Sequence, residues 1–315
     1  MKKVALLALV VSFGFSSVAM AHIDPPNQPG YLGLAFNFQP PPVVDGNLGD
    51  WLGALTAAGI TDAEGDGYAI SAVNYTPTSA GEKKEFDAAD LDFTLWYGWS
   101  PDNNKFYFAY TMFDNIHQRD IDPGKAPTVD ARHAVDDAEI MFDADHSGGI
   151  YYLSSTDDNP LTDEEVRKLR NSQAQQYEVG WPNPDEFDVV YNGFATWLVL
   201  DPALTKAGYS YSGDPTGEGT LSAEFMCTPM NDVDADGGTF TEHQLVEGQV
   251  VGSLTSFIDF DDGTFIYFVN QNGQDATFTD ADKFVDVELD SFLGAATPTA
   301  VESSTWGRIK SGFSN

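Results

Sequence analysis

The residues best equipped for chemistry in this sequence are carboxylates set in glycine-containing loops. Asp232, Asp234 and Asp236 alternate within N-D-V-D-A-D-G-G (residues 231–238), and Gly237 permits a sharp turn. That arrangement wraps oxygen ligands around Ca²⁺, which takes six to eight of them. An EF-hand would carry Glu at the twelfth loop position, but His243 stands there and the flanks read as strand, so the loop is either a different kind of calcium site or a solvated acidic turn. A second loop holds Asp143 and Asp145 ahead of Ser147, Gly148 and Gly149, and a third holds Asp259, Asp261, Asp262 and Gly263. Each follows a predicted strand, where an ion would staple two connections. Structural Ca²⁺ is therefore expected, with Asp232, Asp234, Asp236, Asp143 and Asp145 as ligands.

Catalytic motifs are missing. Neither H-E-x-x-H nor G-x-S-x-G occurs, nor a Gly-rich phosphate loop followed by Lys. Paired carboxylates serve glycosidases, yet 49 acidic residues leave no pair that stands out, so no enzymatic function is expected. Aromatic rings offer another route, because a flat ring meets the C–H face of a sugar while neighbouring polar groups bond its hydroxyls. Trp181, between Gly180 and Pro182, reads as loop-borne and placed for ligand contact, whereas Trp51 and Trp197 read as core.

The 315 residues include 15 Lys plus Arg against 49 Asp plus Glu, a net charge of −34. Such a chain repels phosphates, which excludes nucleic acid and anionic membranes as partners. With 42% hydrophobic and 13% aromatic residues it has the means to bury a core. Met1-Lys2-Lys3, the apolar run Val4–Val18 and Ala19-Met20-Ala21 form a secretory signal with cleavage after Ala21. No later apolar run approaches the roughly 20 residues of a membrane span. A secreted or periplasmic protein is expected. Cys227 has no partner cysteine and sits in an apolar run, as a small buried hydrophobe would.

The elements that must position these residues are short aromatic and β-branched runs separated by Gly, Pro, Asn and Asp. Leu91, Phe93, Leu95 and Tyr97 share one face of a period-2 segment, and Phe106, Phe108, Tyr110 and Met112 share one face of the next; the turn 100–104 joins them into a hairpin. Further strands are predicted at 68–75, 138–142, 150–153, 187–191, 196–200, 221–226, 249–260, 264–270 and 284–289. A helix is predicted from Thr162, with Glu165 completing a capping box, to about Gln176. The fold class is all-β: an antiparallel β-sandwich, jelly-roll or immunoglobulin-like, with one helical insertion at about 155–185. The divisions expected are a signal peptide (1–21), a lead-in with one strand-like piece (22–42), the sandwich (43–296) and a tail (297–315). Trp306-Gly307-Arg308-Ile309-Lys310 in that tail reads as a frayed end or as a tag for a docking partner.

Three segments carry a family likeness: V-V-D-G-N-L-G-D-W (43–51), F-T-L-W-Y-G-W-S-P-D-N-N-K-F-Y-F-A-Y-T-M-F-D-N (93–115) and D-D-A-E-I-M-F-D-A-D-H-S-G-G (136–149). In this order they resemble family 9 carbohydrate-binding modules, and segments 222–229, 252–263 and 282–289 are similar to that family's remaining strands. The resemblance implies a β-sandwich that commonly binds calcium and grips sugar-chain ends between two tryptophans. Local spacing puts the clamp positions at His133 and Phe278, neither of them Trp. The resemblance thus implies carbohydrate binding by stacking on Phe278, with hydrogen bonds from Asp275, Gln274, Arg132 and His133.

The expected function is that of a secreted, non-catalytic, carbohydrate-binding protein with calcium-stabilised loops, its partner a polysaccharide or oligosaccharide. Two alternatives stay open. One is a periplasmic haem-binding electron-transfer domain using Met112, Met141 or His133, although no C-x-x-C-H motif is present. The other is a calcium-dependent surface or matrix protein.

Overall fold

The computed structural model describes residues 23–291, except 27, 119–134, 153–161, 163, 166–173, 184–185, 194, 215–216, 235–237 and 275–276. Its strands are β1 Gly33–Asn37, β2 Ala69–Ser71, β3 Thr76–Pro77, β4 Leu91–Ser100, β5 Lys105–Asp114, β6 Asp137–Asp143, β7 Gln175–Asn183, β8 Glu186–Tyr191, β9 Thr205–Gly213, β10 Gly219–Cys227, β11 Met230–Val233, β12 Phe240–Glu242, β13 Val250–Asp261, β14 Thr264–Asn270 and β15 Val285–Leu289. An α-helix, α1, spans Gly49–Ala57.

Hydrogen bonding orders the main sheet β8-β7-β6-β13-β15-β1-β4-β5-β10-β9, with β14 beside β13 and β2 beside β4. The path bends back on itself, because rings from its two halves meet face to face. Phe93 on β4 stacks on Phe257 of β13 at 4.0 Å, and Phe106 on β5 lies 4.5 Å from Phe142 of β6. Tyr177 on β7 meets Phe225 of β10 at 4.9 Å. The result is an all-β sandwich whose inner faces carry the main core.

Period-2 patterning explains this core. Phe93, Leu95 and Tyr97 point inward, as do Phe106, Phe108, Tyr110 and Met112, all within 2% of complete burial. Pairing is antiparallel throughout except at β1, which runs parallel to both β15 and β4. No hairpin feeds β1, so no tight turn imposes the opposite direction. Among the described residues no helix is long and apolar enough to cross a membrane.

Several segments differ from the sequence expectation. Residues 49–57 form a helix on the outer face of β4, β5 and β10; buried Trp51 and Leu55 anchor it among Phe36, Phe38, Tyr107 and Met226. Two glycines and an uncapped N-terminus hide it from propensity reasoning. Thr196–Leu200 is a 3₁₀ helix instead of a strand. Only Leu198 of those five residues is buried, a pattern that suits a three-residue turn better than alternation. The capping box is present, since Glu165 N–H donates to Thr162 Oγ1 (3.3 Å) and Thr162 N–H to Glu165 Oε2 (2.8 Å). The helix does not extend to Gln176, because β7 begins at Gln175 with Tyr177 and Val179 facing the core. Trp181 accordingly lies on that strand rather than on a loop. Of the predicted segment 68–75, Ala69–Ser71 is strand and Ala72–Asn74 a 3₁₀ turn.

Candidate functional site

The outer face of β6 is built from acid. Asp137, Glu139, Met141 and Asp143 alternate with the inward Ala138, Ile140 and Phe142, yet all seven positions are buried. Pairing register extends that face sideways into a row. Glu178 of β7 lies opposite Glu139, Glu139 opposite Ser256 of β13, and Ser256 opposite Asn270 of β14. None of the four exceeds 4% exposure. Two carboxylates, a hydroxyl and an amide thus form a polar strip across four strands.

Like charges directly opposite on neighbouring strands repel, so Glu139 and Glu178 need donors around them. Glu178 Oε1 accepts from Asn192 Nδ2 at 3.2 Å and from Gln176 Nε2 at 3.4 Å. Ser256 Oγ and the Tyr151 hydroxyl are buried without a hydrogen-bond partner among the described residues. The Tyr151 hydroxyl is held well above its ordinary pKa, first by burial and then by the charges of Glu139 and Glu178.

Apolar walls flank the strip. On one side Met141 and Leu254 pack with Tyr151, Ala281 and Phe284; on the other Ile258, Phe260 and Phe268 pack together. Phe278, half-buried, touches both clusters and therefore spans the strip between them. Its ring meets Tyr152 edge to face at 5.7 Å. Segment 277–283 is held there by Tyr151 N–H to Thr279 O (3.1 Å) and Ala281 N–H to Gly149 O (2.8 Å). The backbone carbonyl of Gln274 accepts from Asn270 Nδ2 at 2.9 Å. The face thus sets flat rings beside carboxylate, hydroxyl and amide groups, a combination of the kind used to hold neutral polyhydroxylated ligands.

The chain is similar to solved carbohydrate-binding modules. A family 9 carbohydrate-binding module from Caldicellulosiruptor kristjanssonii in complex with cellotriose is 12% identical, with a TM-score of 0.45, covering 85% of this chain and 97% of the other. The same organism's family 9 module in complex with glucose is 12% identical with a TM-score of 0.45, covering 82% and 95%. The likeness is to carbohydrate-binding modules of family 9. No family model and no curated protein matches the chain.

Of the residues expected at a sugar site, Phe278 packs against the apolar clusters on either side of the strip, and Gln274 meets Asn270 through its backbone carbonyl. Arg132, His133 and Asp275 lie outside the described residues, as does the Trp181 side chain. Sequence reasoning missed Glu139, Glu178, Ser256 and Asn270. The alternation in D-A-E-I-M-F-D was the available signal for Glu139, since acid and apolar residues there fall on opposite faces. Glu178 lay in the insertion expected at about 155–185, just past the helix end expected near Gln176.

At the expected calcium loops, Asp143 sits at the end of β6, accepting from Gly148 N–H (2.8 Å) and Ser147 N–H (3.3 Å). Burial, with neighbouring Asp145 adding to it, pushes Asp143 up to about 7. Asp145 accepts from the same Ser147 N–H at 3.2 Å, so the loop gathers both carboxylates. Asp232 lies on β11, and Asp234, just beyond it, accepts from Thr239 Oγ1 at 3.3 Å. Asp236 is outside the described residues. Met112 and Met141, named for haem ligation, pack in separate clusters, Met112 in the inner core and Met141 on the outer face. Cys227 is fully buried, and burial raises its thiol pKa.

Proposed function

We propose that this chain is an exported, non-catalytic carbohydrate-binding protein that holds a sugar chain over the β7–β6–β13–β14 face. The observation that carries the reading is the buried strip Glu178–Glu139–Ser256–Asn270 lying beneath Phe278. Carboxylates accept from sugar hydroxyls, the amide and hydroxyl both donate and accept, and the ring covers a C–H face. Ser256 Oγ and the Tyr151 hydroxyl, buried without a hydrogen-bond partner among the described residues, cost free energy in that state, and a hydroxyl-bearing ligand returns the hydrogen bonds. Calcium at the Asp143–Asp145 and Asp232–Asp234–Asp236 loops, and export after Ala21, belong to the same reading.

Titration calorimetry with cello-, xylo- and manno-oligosaccharides tests it. Saccharide binding that is lost in Glu178→Gln and weakened in Phe278→Ala supports the proposal. Absence of binding across the panel overturns it, and new reducing ends on prolonged incubation would overturn the non-catalytic part. Amino-terminal sequencing of exported protein should begin at His22.

A further inference from the structure

The ladder between β13 and β14 is irregular at one point, close to the polar strip. Ser256 pairs with Asn270, Phe257 with Val269, Ile258 with Phe268 and Asp259 with Tyr267; Phe260 then pairs with Phe265, so that Ile266 is the extra residue of a β-bulge. Val269 and Tyr267 face the inner core, and strict alternation would send Phe265 the same way. The bulge reverses the order: Ile266 packs in the inner core, and Phe265 packs on the outer face with Ile258, Phe260 and Phe268. Bulges re-aim side chains and recur beside functional sites.

The re-aimed ring lies flat on its partner. Phe260 and Phe265 stack with centroids 4.9 Å apart and planes 9° from parallel. Phe260 is the buried member at 8% exposure, and Phe265 is the more open one. Segment 78–83 also holds β14 here: Thr78 N–H donates to Phe268 O (2.8 Å), Glu82 N–H to Phe265 O (3.0 Å) and Lys83 N–H to Ile266 O (3.0 Å). The two rings thus form a slab that is in place before any ligand arrives, which lowers the cost of binding.

We infer that the Phe260–Phe265 slab is a second saccharide subsite, and that the ligand is a linear, uncharged glycan long enough to reach along β13 from the strip to the slab. This rests on the carbohydrate reading above and adds the class of ligand to it. Ser256 of the strip and Phe260 of the slab share the outer face four residues apart, roughly 13 Å along the strand, more than one sugar ring covers. Ile258 and Phe268, paired with each other, occupy the interval and keep it apolar. Two rings stacked on each other present one open face, on which a sugar lies flat while the chain runs past it. Acid borders the slab: Asp261 is partly buried and Asp262 exposed, while Lys83, the cation on the flanking segment, is paired with Asp90. Uronate or sulfate groups would meet like charge there, so the glycan is a neutral one.

The test is titration calorimetry on the full-length protein with neutral oligosaccharides of the cello, xylo and manno series, from disaccharide to hexasaccharide, alongside thermal melting. Wild type should bind the hexasaccharide of its preferred series at least about tenfold more tightly than the disaccharide, the gain expected of one more ring contact. Phe265→Ala should lose that gain and still bind the disaccharide as wild type does. Phe265→Leu keeps an apolar group on Phe260 but no flat face, so it decides the matter if the alanine variant fails to fold. Phe265→Tyr keeps the face and should keep the gain. Affinity that does not rise with chain length, or a rise that survives in Phe265→Leu, overturns the subsite and leaves the strip untouched. Binding of no saccharide at all removes both.

Discussion

Alanine in place of glycine should have opposite effects at two positions, and the contrast tests the strand register beneath the polar strip. Gly180 on β7 lies opposite Asp137 on β6. A Cβ added there would sit 2.6 Å from Asp137 Cβ and 3.0 Å from Asp136 O. Opposed Cβ atoms in an antiparallel pair normally stand about 4.5–5.5 Å apart, so β7 and β6 must separate by about 1 Å or more. Overpacking of that kind costs about 1–3 kcal/mol. At about 2–4 °C per kcal/mol for a domain of this size, Gly180→Ala should melt roughly 2–12 °C below wild type. Saccharide affinity should also fall, because Glu178 and Glu139 ride on the two strands that move apart. Gly53 lies inside α1 with nothing within 4 Å of its would-be Cβ. Gly53→Ala removes backbone freedom from the unfolded chain and should raise stability by about 0.5–1 kcal/mol. Calorimetric melting of the two variants at one pH and one calcium concentration gives the comparison. If Gly180→Ala melts with or above wild type, the register of β7 on β6 is wrong, and the proposed strip is wrong with it.

Phe278→Ala should weaken saccharide binding by about 5- to 30-fold, the loss of about 1–2 kcal/mol of ring contact; calorimetric affinities equal to wild type would remove the ring from the site. Glu224 accepts from Asp45 N–H (2.9 Å), Gly46 N–H (2.7 Å) and Trp51 Nε1–H (2.8 Å). In Glu224→Gln the amide cannot accept on both sides, leaving at least one buried donor unpaired, so denaturant unfolding should show a loss of about 2–4 kcal/mol, and a loss below about 0.5 kcal/mol would contradict those contacts. Cys227, with its thiol pKa raised by burial, should resist thiol reagents in native protein and react on unfolding; fast native labelling would show that the β10 core is open.

What could be read in the sequence follows from which signals are local. Phe93, Leu95 and Tyr97 declare their face by alternation alone, and the turn at 100–104 fixes the register of β4 with β5. Both hold in the structure. β7 gives no such signal: Thr162 and Glu165 start a real helical turn, and nothing local says where it stops. Its strand state is set by Tyr177 and Val179 packing beneath β10 and β6. The site divides in the same way. Phe278 was named through a family resemblance and its place in the site is a proposal, whereas the pairing of Glu178, Glu139, Ser256 and Asn270 depends on strand register between segments as far apart as residues 139 and 256. No composition or spacing rule reports such a register.

The first strand shows how much the fold depends on a segment that reads as a mere lead-in. β1 lies between β15 and β4, parallel to both, and so bridges the two layers of the sandwich. Ala35, Phe36, Asn37 and Phe38 are at most 5% exposed. Phe38 meets Trp51 edge to face at 4.7 Å and Phe36 at 4.9 Å. Removing two buried phenylalanines costs about 3–5 kcal/mol each by truncation alone, against a total stability of about 5–15 kcal/mol for an ordinary domain. Two central strand edges would also be opened to solvent, and unpaired edges invite association. A chain begun at Val43 should therefore aggregate or lack a cooperative melt, whereas one begun at Ile23 should melt as the mature protein does. If the shorter chain melts cooperatively within a few degrees of the longer one, β1 is an accessory, and the sandwich must close through a direct β15–β4 pairing instead.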